Sequence, residues 1–317
     1  MKIASNTSNF ISCISNPADV AQCVELVGRT RFKYADLSMP DDPIIMGAGW
    51  REWAESIDGA AGRCGVKLIQ AHASDYNNLV GSYMTATAYV GENELRAYCM
   101  EIIKKQVMLC SVLKIPQIVV HAARDSKNTW KQFRLMNKEF FGQLLDEAAG
   151  YGVDILLENG CFPNTRGDYY YYSADMMLTT IDDCGSHPLL NVCWDVGHAH
   201  MQGTDQYDEI MEIGNRLKGV HVHDNYGVSD MHAMPFTANC DYDDIIQGLI
   251  DCGYGGYFTL EAYALPSAKF AGREHSPKHK NLAVKLLDLP AEILIQGENL
   301  MYEITKYMLT QYGCFEE

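Results

Sequence analysis

Short apolar runs rich in β-branched residues recur along this chain. They are separated by longer stretches whose apolar positions return every three or four residues. The short runs predict strands at Lys2–Ser5, Lys33–Leu37, Val66–His72, Gln117–His121, Asp154–Glu158, Asn191–Asp195, Gly219–His223 and Tyr257–Glu261. The longer stretches predict helices over Glu92–Ile115, Thr129–Gly152 and Tyr242–Gly256, with Gly150 and Gly152 suited to stop the second. "GAGWREWAESIDGAAG" reads as an ordinary helix ahead of a lid. Strands alternating with helices are parallel strands joined by crossovers. Such units repeated over 317 residues fit an α/β fold, the (β/α)8 TIM barrel. Residues 1–317 are read as a single domain, with the last thirty or so forming a closing helix. A doubly wound sheet is the alternative. It typically carries a Gly-rich phosphate turn after an early strand, and neither GxGxxG nor GxxxxGKS/T occurs.

The polar residues sit at the ends of the apolar runs. "LIQAHAS" ends at His72, "IVVHAAR" at His121, "DILLENG" at Glu158 and "YFTLEAY" at Glu261. "NVCWDVGHAH" supplies Asp195, His198 and His200, and "GVHVHDNYGVSDMH" supplies His221, His223, Asp224, Asp230 and His232. In a barrel the C-terminal strand ends converge on one mouth, where active sites are built. Taken singly, a histidine after an apolar run is more often a hydrogen-bonded core residue, and a strand-end carboxylate a helix N-cap. Together they change the balance. Several carboxylates gathered at one mouth repel one another unless protons or a cation neutralise them. Mixed carboxylate and imidazole ligands suit Mn²⁺, Co²⁺, Zn²⁺ or Fe²⁺ rather than thiolate-seeking metals.

Composition narrows the classes. The net charge of −16 argues against a nucleic-acid partner, and no apolar run is long enough to span a membrane. The N-terminal stretch has no apolar core of the kind a signal peptide needs. The 11 cysteines are scattered without a CxxC pair, which suits reduced thiols in a cytoplasmic enzyme.

The D-x-x-H of "DVGH", the H-x-x-D of "HVHD" and the D-x-H of "DMH", with Glu158 and Glu261 at strand ends, resemble the xylose isomerase-like barrels. That family includes ketose 3-epimerases, inosose dehydratases, hydroxypyruvate isomerases and metal-dependent abasic-site endonucleases. The resemblance implies a divalent metal, Mn²⁺ foremost, with Co²⁺, Mg²⁺, Zn²⁺ or Fe²⁺ as alternatives. By position it implies metal ligands Glu158, Asp195, His221 and Glu261, with His221 preferred to His223 because it lies three before Asp224. Glu158 and Glu261 take the catalytic roles, and His198, His223, His72, His121, Asp230 and His232 face the substrate. His72, His121, Asp230 and His232 also match further metal ligands of the endonuclease branch, which leaves a multimetal site open. The implied activity is isomerisation or epimerisation of a free ketose or related polyol carbonyl, by proton abstraction through a metal-stabilised enediolate. A lyase on the same scaffold is the alternative: an inosose-type dehydratase, or the barrel subunit of a C-glycoside deglycosidase with its small second subunit. An abasic-site endonuclease stands third, and a homo-oligomer is expected. Where the family commonly has a Pro-x-Gly-x-Gly-like turn after "DMH", this chain reads "AMPFTANCDYDD". Beyond the core pattern, Trp50, Trp53 and Phe162 are read as packing ahead of mouth lining. Arg124 and Lys127 are read as anion contacts or a solvated loop, and the Tyr-rich "NGCFPNTRGDYYYYS" as a sugar-stacking surface or an exposed loop.

Overall fold

Parallel strands need a crossover between them, and every crossover here returns the chain to the same sheet. In the computed structural model the strands are β1 (Lys2–Asn6), β2 (Tyr34–Ser38), β3 (Lys67–His72), β4 (Gln117–Val120), β5 (Asp154–Glu158), β6 (Leu190–Asp195), β7 (Leu217–Val222) and β8 (Tyr257–Leu260). They pair in chain order, and β8 pairs with β1 to close the barrel. The helices are α1 (Val20–Gly28), α2 (Trp50–Cys64), α3 (Glu92–Val112), α4 (Trp130–Tyr151), α5 (Ala174–Asp183), α6 (Val196–Gln202), α7 (Gln206–Ile213), α8 (Tyr242–Asp251) and α9 (Ala291–Gln311). The structure describes residues 1–16, 19–40, 44–76, 79–80, 92–124, 128–160, 171–265 and 289–317. Among the described residues no helix is long and apolar enough to cross a membrane.

Local chemistry explains where the helices begin and end. Thr129 and Gln132 form a capping box at the start of α4, and Gly152 closes it in the left-handed conformation at φ 66°. The stretch "GAGWREWAESIDGAAG" does form a helix, α2, closed by Gly65 at φ 68°. Trp53 is buried in the outer core, while Trp50 lines a separate cavity with Ala54 and Val112, away from the barrel mouth. Phe162 and Lys127 lie outside the described residues.

Alternation along each strand sorts the side chains into two sets. Ile118, Val120, Ile155, Leu157, Val192, Trp194, Val220, Val222, Phe258 and Leu260 point outward into the core beneath the helices. Val119, Leu156 and Cys193 point inward and form a small apolar cluster of their own. Two residues further along those three strands, the same inward parity delivers His121, Glu158 and Asp195. Parity on the other strands adds Asp36, His72, His221, His223 and Glu261. The small apolar cluster thus shares the barrel interior with Gln70 and Gln117, and the C-terminal rim above is ionisable.

Candidate active site

Glu158 is the hub of the rim. Its Oε1 lies 2.6 Å from His221 Nδ1, and its Oε2 lies 3.2 Å from Nε2 of both His72 and His121. Glu261, just past β8, brings its Oε2 within 2.8 Å of the same His221 Nδ1. One potential ligand atom from each of His72, Glu158, His221 and Glu261 falls within 4.8 Å of the others. A second group, His198, His223, Asp230 and His232, meets the same criterion, and Glu158, Asp195 and His198 form a third. The expected quartet is therefore divided: Glu158, His221 and Glu261 gather with His72, while Asp195 gathers with Glu158 and His198.

The imidazoles are oriented by what their outer nitrogens meet. His72 Nδ1 faces the Ala73 carbonyl at 2.9 Å, His198 Nδ1 that of Asn159 at 2.8 Å, and His232 Nδ1 that of Glu261 at 2.6 Å. In the neutral ring, an N–H donated to a carbonyl leaves the opposite nitrogen, Nε2, as a lone pair facing the rim. Asp195 serves as the N-cap of α6, its Oδ1 accepting from His198 N at 2.6 Å, so the bland reading of this aspartate is half right. Its Oδ2 is buried with no hydrogen-bond partner, as are both ring nitrogens of His223 and Oδ1 of Asp230. His223 Nε2 sits 3.1 Å from Asp195 Oδ1, and its ring stacks on His232 at 4.2 Å.

Such buried acceptors cost about 1–3 kcal/mol each when left unmatched. Carboxylate oxygens and imidazole nitrogens converging from several strands are, once the rings give up their extra protons, the donor set that a divalent cation takes. The residues therefore fit a divalent metal.

Ionisation follows from this crowding. Burial disfavours charge on His72, yet its bond to Glu158 and the charges of Glu158 and Glu261 outweigh burial and raise it to about 9. His232 is raised to about 9 in the same way by Asp230. Burial opposes charge on Glu158 and Glu261 too, but the neighbouring imidazoles hold both carboxyls well below the usual range. Burial lowers His121.

A cavity of about 240 Å³ opens over these groups, with Asp75, Arg124 and Gly160 completing its wall. Arg124 pairs with Asp75 at 2.9 Å, so this arginine belongs to the site wall. Tyr172 lines an adjoining recess next to Glu158 and Arg124. Tyr171 lines the same recess but is buried, packed edge-on to Phe133. Residues 161–170 of the Tyr-rich stretch lie outside the described residues. After β7 the turn expected to need glycines is made otherwise. His232 and Phe236 adopt positive φ of 43° and 69°, while Asp224 holds the loop by accepting from Ala238 N and Cys240 N, each at 2.9 Å. Asp36 and Gln70, described below, are site residues missed by strand-end reasoning, because both lie within their strands. A charge inside the apolar run "YADLS" was the available signal.

A family model described as "Xylose isomerase-like TIM barrel" matches residues 21–279. An uncharacterised protein of Methanocaldococcus jannaschii is 26% identical over 173 residues, 53% of this chain and 57% of its own length. The chain thus spans less than two thirds of that relative. The fructoselysine 3-epimerase of Shigella flexneri is 24% identical over 229 residues, 67% of this chain and 78% of the relative. The crystal structure of D-psicose 3-epimerase with D-tagatose from Clostridium cellulolyticum H10 has a TM-score of 0.71 at 15% identity, covering 98% of this chain and 99% of that one. At that identity the likeness speaks for the fold.

Proposed function

The chain belongs to the xylose isomerase-like TIM barrel family, and from that premise we propose that it is a divalent-metal-dependent epimerase or isomerase of a free ketose or related polyol carbonyl. The observation that carries this reading is the convergence of His72, Glu158, His221 and Glu261 within 4.8 Å. In our assignment His72, Glu158, His221 and Glu261 gather round the ion, and Asp195, which stands with Glu158 and His198, completes the expected ligand set from the Glu158 side. A bound divalent ion, Mn²⁺ foremost, supplies Lewis-acid polarisation of the substrate carbonyl and acidifies the neighbouring C–H.

The chain's own groups do the proton work. Glu158 and Glu261 are held in the carboxylate form by their imidazole neighbours, so each can accept a proton. One removes the proton from the carbon beside the carbonyl and leaves an enediolate. The other takes up a proton from solvent or a neighbouring imidazole and delivers it to the opposite face, while the first releases its proton in turn, so the configuration inverts and no atom is lost. Each such step contributes roughly 10²–10⁴-fold. His121, His198, Asp230 and His232, with the Arg124–Asp75 pair, are assigned to the sugar hydroxyls. A cavity of about 240 Å³ supports a small substrate, since drug-sized ligands take roughly 300–1,000 Å³. Two of the similar proteins bear the names of 3-epimerases, which supports epimerisation over elimination. Reduced thiols and a cytoplasmic setting accord with the free cysteines among the described residues.

The second group, His198, His223, Asp230 and His232, favours a site with more than one ion and gives the abasic-site endonuclease reading its one structural support. The charge of −16 opposes it, because a polyanionic duplex is repelled.

The test begins with chelation, with metal content verified as nil, followed by Mn²⁺ or Co²⁺ in ²H₂O with a panel of free ketoses. Deuterium should enter the carbon beside the carbonyl only in the reloaded protein. Full turnover without metal would overturn the reading. So would nicking of abasic duplex DNA in the absence of any ketose exchange.

A further inference from the structure

We propose that Asp36 is a positioning residue that accepts the Nε2 proton of His221 and so turns the Nδ1 lone pair toward Glu158 and Glu261, which with it would hold the ion. This rests on the metal reading above and concerns the residue behind the ligand.

Asp36 lies in the middle of β2, fully buried and pointing into the barrel. A carboxylate taken from water costs several kcal/mol unless it is well matched. Its Oδ2 accepts from Gln70 Nε2 at 2.8 Å and lies 3.2 Å from His221 Nε2, while Oδ1 has no hydrogen-bond partner. On the other side of the ring, Nδ1 stands 2.6 Å from Glu158 and 2.8 Å from Glu261.

His221 is turned the opposite way from its neighbours. His72, His198 and His232 present Nε2 to the rim and rest Nδ1 on a backbone carbonyl. His221 presents Nδ1 and rests Nε2 on a carboxylate. Ionised acceptors make the shorter and stronger hydrogen bonds, and a carboxylate behind a ligating imidazole raises its basicity and fixes its ring.

Gln70 sharpens the case, because its Nε2 is also 2.8 Å from His221 Nε2. It can donate there only when that nitrogen has no proton. In that tautomer the proton sits on Nδ1 and bars a cation. Asp36 and Gln70 thus offer His221 two alternatives, and only the bond to Asp36 opens Nδ1. The Gln70 amide is itself oriented, its Oε1 accepting from Gln117 Nε2 at 2.9 Å. Room for it comes from Gly219, where a Cβ would stand 2.9 Å from that oxygen.

The experiment uses Asp36→Asn and Asp36→Leu in the full chain. Zn²⁺ affinity is measured by chelator competition, and melting of the metal-free proteins is recorded alongside. Long-range ¹H–¹⁵N spectra of the Zn²⁺-loaded wild type read the His221 ring, assigned by its loss in His221→Asn. The expected ring is coordinated at Nδ1 and protonated at Nε2. Both substitutions should weaken Zn²⁺ roughly 10–100-fold. The metal-free Asp36→Asn protein should melt close to wild type, since the isosteric amide keeps an acceptor oxygen for its buried partners, whereas Asp36→Leu leaves Gln70 and His221 unmatched and should melt lower. Unchanged affinity in both variants, coordination through Nε2, or affinity lost only in step with metal-free melting would each overturn the role of Asp36. If wild type holds no Zn²⁺ at His221, this role and the metal reading fall together. An intact wild-type site with unaffected variants sinks Asp36 alone.

Discussion

A single methyl group at Gly197 would collide with His223. A Cβ there would lie 2.0 Å from the His223 ring carbon Cε1, a distance that atoms do not tolerate. Gly197→Ala should therefore push His223 from its place beside Asp195 and Asp230. We expect metal stoichiometry by elemental analysis to fall, with a stability cost of about 1–3 kcal/mol from overpacking. Asp195→Ala should lower occupancy as well, by removing a buried oxygen that has no other partner; unchanged stoichiometry would count against the assignment. At this scale the sequence was readable wherever a charged or imidazole residue ended an apolar run, as at Glu158 and Glu261. It was less readable for His221 against His223, because residues two apart share a strand face and parity cannot separate them. Distances show that His221 meets Glu158 and His223 meets Asp195. Asp36 was hidden because its partners, Gln70 and His221, are distant in sequence.

Helix α9 shows how an element can be tied to the rim without touching its chemistry. Glu298, buried on α9, accepts from Ser5 Oγ at 3.2 Å and from Asn9 Nδ2 at 3.2 and 3.3 Å. Burial outweighs these bonds and pushes its carboxyl up to about 7, from an ordinary 4.5. Between those two values the folded chain holds a proton that the unfolded chain has released. Stability must therefore fall as pH rises through this window, and the loss is complete above about 7. The shift corresponds to at most about 3 kcal/mol. Glu298→Gln should flatten that part of the profile. Denaturant melts from pH 4 to 8 should show the variant gaining on wild type as pH rises; parallel curves would remove this account. The element boundaries were well marked by apolar runs and caps, as with Thr129 and Gly152 around α4. The start of β7 at Leu217 was not, because Lys218 and Gly219 resemble a turn and owe their extended form to pairing with β6. The loop after β7 was also opaque: nothing local announces that His232 and Phe236 will take positive φ. The hydrogen bonds of Asp224 and the contact of His232 with Glu261 hold that shape.

Across the whole molecule, the barrel was legible because eight short runs alternate with helical stretches, and closure leaves no sheet edge to explain. What could not be read was how the rim is partitioned, since that depends on strand tilt and register rather than on residue order. The partition has a consequence of its own. Glu261 offers its carboxylate to His221 and its carbonyl to His232. At the end of β5, Glu158 reaches His221 while the carbonyl of the next residue, Asn159, steadies His198. Both clusters hang from the same two strand tips, so filling either one braces the scaffold of its neighbour. Ions should accordingly enter in concert, with a sigmoidal uptake curve in calorimetric titration of the stripped protein; two independent hyperbolic steps would mean that the tips yield separately.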